Sequence, residues 1–413
     1  MSVHRTKTVL ISGAGIAGPA LAFWLRRYGF EPTVVERAGA PRPGGQAVDV
    51  RGAARDVVDR MGIMSEVRRL SLDERGFAYV EQSGRQVAWM PADHFGGEGI
   101  VAEIEINRGD LSRVLYEATR DEVEYLFDDS IHELVQDDAG VKVTFLRHAP
   151  RTFDLVIGAD GVHSRVRALA FGDESSFVRP LGAYHAYFTL PHPVDTGGWF
   201  EMYSLPGRRM AAIRPGARTD SDRAGDPDRP HPHGSTAMFS FASAELDYDR
   251  RDVERQKQIL AETFAGAGWR VPLLLDAMWH APDFYFDAFC QVQMDRWATG
   301  RTALLGDAGY SPSPLTGLGT SLALVGAYVL AGELAAADGD HRVAFARYQD
   351  ELRDYVRQCQ RLPPGGIGGF LPAGRHKIWL RNRSMRLMTS RPLRRLVARV
   401  FATADSITLK RYP

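Results

Sequence analysis

An apolar strand that runs into a glycine-rich turn and then a helix restricts a chain to a small set of folds. Lys7 to Ser12 (KTVLIS) is such a run, and it continues through Gly13-Ala14-Gly15-Ile16-Ala17-Gly18 into PALAFWLRRYG, which has the pattern of a helix. Each glycine meets a separate steric demand: Gly13 the tight turn, Gly15 the approach of a pyrophosphate to the backbone, Gly18 the packing of helix against strand. A second strand, Pro32 to Val35, ends in Glu36, where this pattern places a carboxylate for the ribose of adenosine. Together these features predict a Rossmann-like unit that binds an adenine dinucleotide. The pattern does not separate NAD from FAD.

Two further segments repeat the logic of a strand that ends in a carboxylate. In Arg301 to Ala327 (RTALLGDAGYSPSPLTGLGTSLALVGA) a short apolar strand ends in Gly306-Asp307, and a loop rich in Pro and Gly then opens a long apolar helix. A carboxylate in that place accepts hydrogen bonds from sugar-like hydroxyls, and the free N–H groups at the helix start favour negative charge above them. Gly317 and Gly319 leave room for a ligand against the backbone. In Phe153 to Arg167 (FDLVIGADGVHSRVR) a third strand ends in Gly158-Ala-Asp160-Gly161, followed by Ser164, Arg165 and Arg167.

GAGIAG, then GADG with downstream Ser and Arg, then GDA followed by Pro and GLG, in that order, resembles the single-component (group A) FAD-dependent aromatic hydroxylases. This is the family of para-hydroxybenzoate hydroxylase and the tetracycline-inactivating hydroxylases, and the resemblance covers roughly residues 5 to 355. It implies an α/β fold: a Rossmann-like (GR2-type) FAD-binding domain, a β-sheet substrate domain and a C-terminal helical segment. By the same resemblance Gly13, Gly15, Ala17, Gly18 and Glu36 hold the ADP half of non-covalent FAD, with Arg37 beside the adenine end. Arg108, in INRGDLSRVL, contacts the cofactor, and Asp160 serves both FAD and the approach of NADPH or NADH. Gly306-Asp307 binds the ribityl chain. Pro314, Gly317 and Gly319 border the flavin ring, while Leu318 and Thr320 start the helix that faces its pyrimidine end. Gln46, Asp49 and Arg51, in GGQAVDVRG, are weaker candidates beside the flavin.

The chain departs from the family pattern in three places. Gly309-Tyr310 stands where Ala-His is common, Ser321 where an Asn is common, and Gly326 where an Asp is often found. These departures put close similarity of substrate or flavin motion to the best-known members in doubt.

Composition narrows the remaining classes. The 413 residues carry 51 basic and 51 acidic side chains, so no general attraction to nucleic acid is expected. Cys290 and Cys359 are the only cysteines, too few for a disulfide framework or a thiolate metal site, which fits the cytoplasm. The opening MSVHRTKTVLIS reads as a strand rather than a secretory signal. The apolar run Leu322 to Ala336 holds Glu333 and two glycines, and is expected to be a buried helix rather than a membrane span.

The expected FAD-binding domain comprises residues 1–75, 95–171 and 291–360. Residues 76–94 and 172–290 form the substrate domain, with a hairpin turning at Ser83-Gly84 and strand-like runs AYHAYFTLP, WFEMYSLP, RRMAAIRP and TAMFSFAS. Tyr203, Met210 and Phe239 are candidates for either pocket or core. Arg214 to Ser235 reads as a surface loop, with a substrate lid as the alternative; His231 and His233 there lack other ligands nearby, so no metal is expected. From Arg361 onward a dozen Lys and Arg stand against one acid, Asp405. Apolar residues between Ile378 and Phe401 fit amphipathic helices interrupted near Pro392 and packed on the flavin domain; a surface for a membrane or other anionic partner is the less favoured alternative.

No GxSxG, P-loop, HExxH or paired-cysteine motif is present, and no acid/base cluster stands out in the sequence. The resemblance therefore implies that flavin carries the chemistry: NAD(P)H reduces FAD, O2 adds as a C4a-hydroperoxide, and one oxygen is placed on an aromatic or polyketide-like small molecule by hydroxylation or epoxidation. The alternatives are an FAD-dependent reductase or dehydrogenase on the same fold, or a flavin-bearing binding protein without turnover.

Overall fold

A computed structural model describes residues 7–42, 44–72, 74–92, 104–216, 234–388 and 407–413. Two sheets organise the chain. The first has six strands in the order Ala298–Thr299, Thr302–Leu304, Leu155–Gly158, Thr8–Ser12, Glu31–Val35, Glu124–Leu126. Its central pairings are parallel, with Leu10 opposite Val156 on one side and Thr33 on the other. Val9, Leu10 and Ile11 are fully buried, as the unbroken apolar run requires of a strand covered on both faces.

One cover is helical. The helix Ala17–Arg27 packs on the helix Gly319–Ala336, which in turn packs on His341–Cys359. Gly319–Ala336 is the one described helix long and apolar enough to cross a membrane, but 83% of it is buried inside the protein. An all-round apolar helix must be covered all round, and here protein supplies the cover. The other cover is a three-stranded antiparallel sheet, Ile131–Gln136, Val141–Phe145 and Arg151–Phe153, whose Val141, Val143 and Phe153 pack with Leu10, Val156 and Leu304.

The second sheet has seven strands in the order Tyr285–Val292, Val178–Thr189, Thr236–Ala242, Arg209–Arg214, Trp199–Leu205, Gly76–Val80, Gln86–Pro91. It is antiparallel except where Trp199–Leu205 runs parallel to Gly76–Val80. Alternation along Val178–Thr189 sends Tyr184, Ala186 and Phe188 to a core shared with the helices Val253–Phe264 and Val271–His280. Ala183 and Tyr187 face the other way, toward Leu315, Ile367 and Met385. Met210 and Phe239 are fully buried core residues and Tyr203 packs on Trp269.

The carboxyl-terminal helix, Arg375–Met388, corrects the expectation that it covers the flavin domain: it lies against Gln86–Pro91 of the seven-stranded sheet. Arg381 explains the docking. Its guanidinium sits 3.5 Å from the centre of the Tyr79 ring and donates to Ser204 at 2.9 Å, while its stem covers apolar surface. Trp379, Leu380 and Leu387 on this helix remain exposed. The segment around Pro392 lies outside the described residues, as do residues 217–233, including His231 and His233, and the opening residues 1–6.

Candidate functional site

The carboxyl ends of the parallel strands and one face of the seven-stranded sheet enclose a cleft with about 370 Å³ of accessible space. This is where an open parallel sheet presents backbone N–H groups and helix starts to a ligand. Of the residues singled out in the sequence, Gly13, Gly15, Ala17, Glu36, Arg37, Gln46, Asp49, Arg108, Asp160, Asp307, Pro314, Gly317, Gly319 and Thr320 line it. Gly18, Arg51, Gly306 and Leu318 do not line it.

The glycines act as the fingerprint demands. Gly13 has φ +107°, and a Cβ there would sit 2.6 Å from the Ala159 carbonyl oxygen. A Cβ on Gly15 would lie 3.2 Å from the Arg108 guanidinium, so glycine keeps open the space between loop and cation. Gly18 departs in detail: a Cβ there would strike the Gly13 carbonyl, so it accommodates the turn's own backbone as well as Ile11 of the strand. Glu36 accepts from Ala14 N–H at 2.8 Å and Ala38 N–H at 2.9 Å, which fixes its carboxylate while each oxygen keeps a lone pair for a ribose hydroxyl. Asp160 is committed to the start of the following helix, accepting from Ser164 Oγ at 2.5 Å and Arg165 N–H at 2.8 Å.

At the other end Asp307 is half-buried, and desolvation pushes its carboxyl up while Ser311 and Arg108 oppose the shift. Gly317 has φ +67°, and a Cβ there would stand 3.0 Å from an Asp49 oxygen; Gly319 has only Asp307 and Pro312 near, at 3.7 Å and beyond. Asp49 pairs with Arg51 at 2.8 Å and lies opposite Glu105 on a two-stranded ribbon. Arg214, at the end of a substrate-sheet strand, reaches Glu74 and Glu105 at 3.3 Å. Burial pushes the Asp49, Glu74 and Glu105 carboxyls up, against the pull of the guanidiniums.

The three departures from the family pattern have structural answers. Tyr310 is 1% exposed and points into the core, where its hydroxyl meets that of Tyr348 at 2.8 Å and its ring packs on Trp297. A Cβ on Gly326 would collide with the Tyr310 hydroxyl, so the glycine makes room for the tyrosine. Ser321 is fully buried and donates to the Arg51 carbonyl at 3.3 Å.

No acid/base cluster stands out in the sequence, yet the fold assembles one beside the cleft. His163, His185, Tyr187, Tyr285, Asp287 and Cys290 all line the cleft. His163 bridges the two sheets, with Nδ1 3.1 Å from Glu174 and Nε2 3.1 Å from Asp287, and Tyr285 donates to Asp287 at 2.8 Å. Against the cost of burial, the two carboxylates raise His163 to about 9, and the bonds from His163 and Arg250 draw Glu174 down to about 2. Burial pushes the Cys290 thiol up to about 12, so it is a neutral thiol and a poor nucleophile. These residues come from three separate stretches of the chain, and only strand alternation hints that His185 and Tyr187, or Tyr285 and Asp287, share a face.

The residues fit FAD: a turn at which only glycines clear the backbone and the Arg108 guanidinium, a fixed carboxylate at the adenosine end and a half-buried carboxylate before a helix start at the other. The FAD binding domain family model matches residues 6–221, just over half of the chain. The chain belongs to the FAD-dependent aromatic monooxygenases. It is 45% identical over 367 residues to an uncharacterized protein of Mycobacterium tuberculosis (strain ATCC 25618 / H37Rv), covering 89% of this chain and 95% of that one. A flavin-dependent monooxygenase of Legionella longbeachae serogroup 1 (strain NSW150) is 39% identical over 354 residues, covering 86% and 87%. The crystal structure of tetracycline destructase Tet(55) superimposes with a TM-score of 0.78 at 36% identity, covering all of both chains. The monooxygenase assignment makes this protein an oxidoreductase that carries FAD.

Proposed function

We propose that the enzyme uses NADPH or NADH and O2 to place one oxygen atom on an aromatic or polyketide-like small molecule, by hydroxylation or epoxidation. The observation that carries the reading is the shared cleft: the same cavity is lined by the dinucleotide glycines and by His185, Tyr187 and Tyr285 of the seven-stranded sheet. Flavin, when bound, supplies electron transfer and oxygen activation. The chain's own residues then have these roles. Gly13, Gly15 and Glu36 receive the ADP half, Arg108 offsets phosphate charge, and Asp307 holds the ribityl hydroxyls. Pro314, Gly317 and Gly319 shape the ring's surroundings, and the helix start at Thr320 favours negative charge there. The likeness to tetracycline destructases supports a polycyclic substrate, and the two unpaired, buried cysteines support a cytoplasmic setting.

Turnover under isotopic O2 tests the proposal. The product should gain one labelled oxygen while NAD(P)H is consumed; productive NAD(P)H consumption with an unlabelled product would move the enzyme to a reductase or dehydrogenase.

A further inference from the structure

Buried side-chain nitrogens and oxygens without a hydrogen-bond partner are uncommon inside proteins, and one that lines a cleft calls for a ligand. Among the described residues with such an atom, only His185 lines this cleft, and its Nδ1 is enclosed behind the cleft wall without a partner. The residue is 2% exposed. Its position explains the orphaned atom. His185 lies directly opposite Asp287 on the neighbouring strand, yet the Asp287 carboxylate is already engaged by His163 and Tyr285. Phe289 stacks on the imidazole at 4.5 Å, and the rings of Tyr187 and Tyr285 stand edge-on at 5.1 and 5.9 Å. An aromatic box therefore holds a polar ring whose polar atoms the protein leaves unpaired.

The electrostatics settle which partner fits. Burial pushes the imidazole down to about 4 even with Asp287 opposing, so the ring is neutral at physiological pH. A neutral imidazole carries one N–H and one bare acceptor nitrogen in either tautomer. A half-turn of the ring about Cβ–Cγ exchanges nitrogen and carbon without changing its shape, so that acceptor can be turned to the cleft. A bare acceptor between aromatic rings selects a flat molecule that carries a hydrogen-bond donor, and a missing donor would leave the nitrogen unpaired in the complex.

We propose that His185 is a specificity-determining residue whose imidazole accepts a hydrogen bond from the O–H of a flat phenol or enol lying against Tyr187 and Tyr285. This deepens the monooxygenase reading and rests on it. The test uses the FAD-loaded enzyme and two probes, 2-naphthol and its methyl ether 2-methoxynaphthalene, with dissociation constants measured by calorimetry in the absence of NAD(P)H. The native enzyme should bind the naphthol about tenfold more tightly than the ether, in the range expected for one hydrogen bond to a buried group. His185→Phe, which keeps the stacked ring and removes both nitrogens, should abolish that preference at unchanged FAD content, and His185→Gln should retain part of it. A native enzyme that binds neither probe or both equally, or a His185→Phe variant with the preference intact, overturns the assignment. Should His185→Phe not fold, nitrogen NMR of the native enzyme decides instead: naphthol must shift the bare ring nitrogen of His185 and the ether must not. Because binding is read without turnover, a native enzyme that prefers the naphthol yet incorporates no labelled oxygen would sink the monooxygenase reading and leave His185 as a hydroxyl-selecting residue.

Discussion

The Tyr310 hydroxyl occupies the space that a side chain at position 326 would need, so two departures from the family pattern form one coupled change. Gly326→Ala should cost about 1–3 kcal/mol by overpacking. The cost should shrink in a Tyr310→Phe background, where the struck oxygen is gone; urea midpoints of the four proteins in the cycle measure the coupling. The cleft glycines differ in the same way. Gly319 has free space toward the protein, so Gly319→Val should fold normally and lower FAD affinity by filling the cleft. Gly317→Val should lower the melting temperature as well, because position 317 has φ +67° and faces Asp49. Asp307→Ala removes the carboxylate at the helix start and should release most of the FAD, read as loss of yellow colour on desalting. Retained FAD would show that the ribityl chain is held elsewhere.

At the scale of elements, His163 ties the two sheets together. His163, in the turn after the strand Leu155–Gly158, reaches Asp287 of the strand Tyr285–Val292. Its folded pKa lies above the ordinary histidine value, so its contribution is complete below about 6.5 and fades as pH rises through about 9. Glu174 is depressed to about 2, so its contribution is lost only on strong acidification. The melting temperature should therefore fall between pH 6.5 and 9, and His163→Gln should be less stable at pH 6.5 but show a smaller fall. An equal fall in both proteins would mean that another group controls this range.

For the whole molecule, the end of the chain acts as a clasp on the flavin-side helices. Lys410 reaches Glu333 at 3.0 Å and Glu351 at 2.7 Å, and Tyr412 donates to Glu333 at 2.9 Å. Glu333 is 3% exposed in the last turn of an apolar helix, so removing residues 407–413 strands its carboxylate. The truncated protein should lose about 3 kcal/mol, the lower end for breaking a buried pair because Lys410 is half exposed. Glu333→Gln in the truncated chain should recover part of that loss, as seen in thermal unfolding. An unchanged melting temperature on truncation would leave the clasp without a role in stability.

Local rules made the flavin half legible in the sequence. Turn sterics require glycine at position 13, a strand buried on both faces requires an apolar run such as Val9 to Ile11, and a polyol needs a carboxylate where Asp307 stands. Each demand is met within a few residues, so each leaves a readable mark. Amphipathic periodicity likewise predicted the carboxyl-terminal helix but not its partner, because an apolar stripe does not say which surface it will cover; Arg381 on Tyr79 decided that. His163, His185, Asp287 and Cys290 carry no local signature. They meet because alternation in one sheet and a turn in the other aim side chains from distant segments into a shared cleft. Their charge states follow from burial and from one another, and those are properties that only tertiary packing creates.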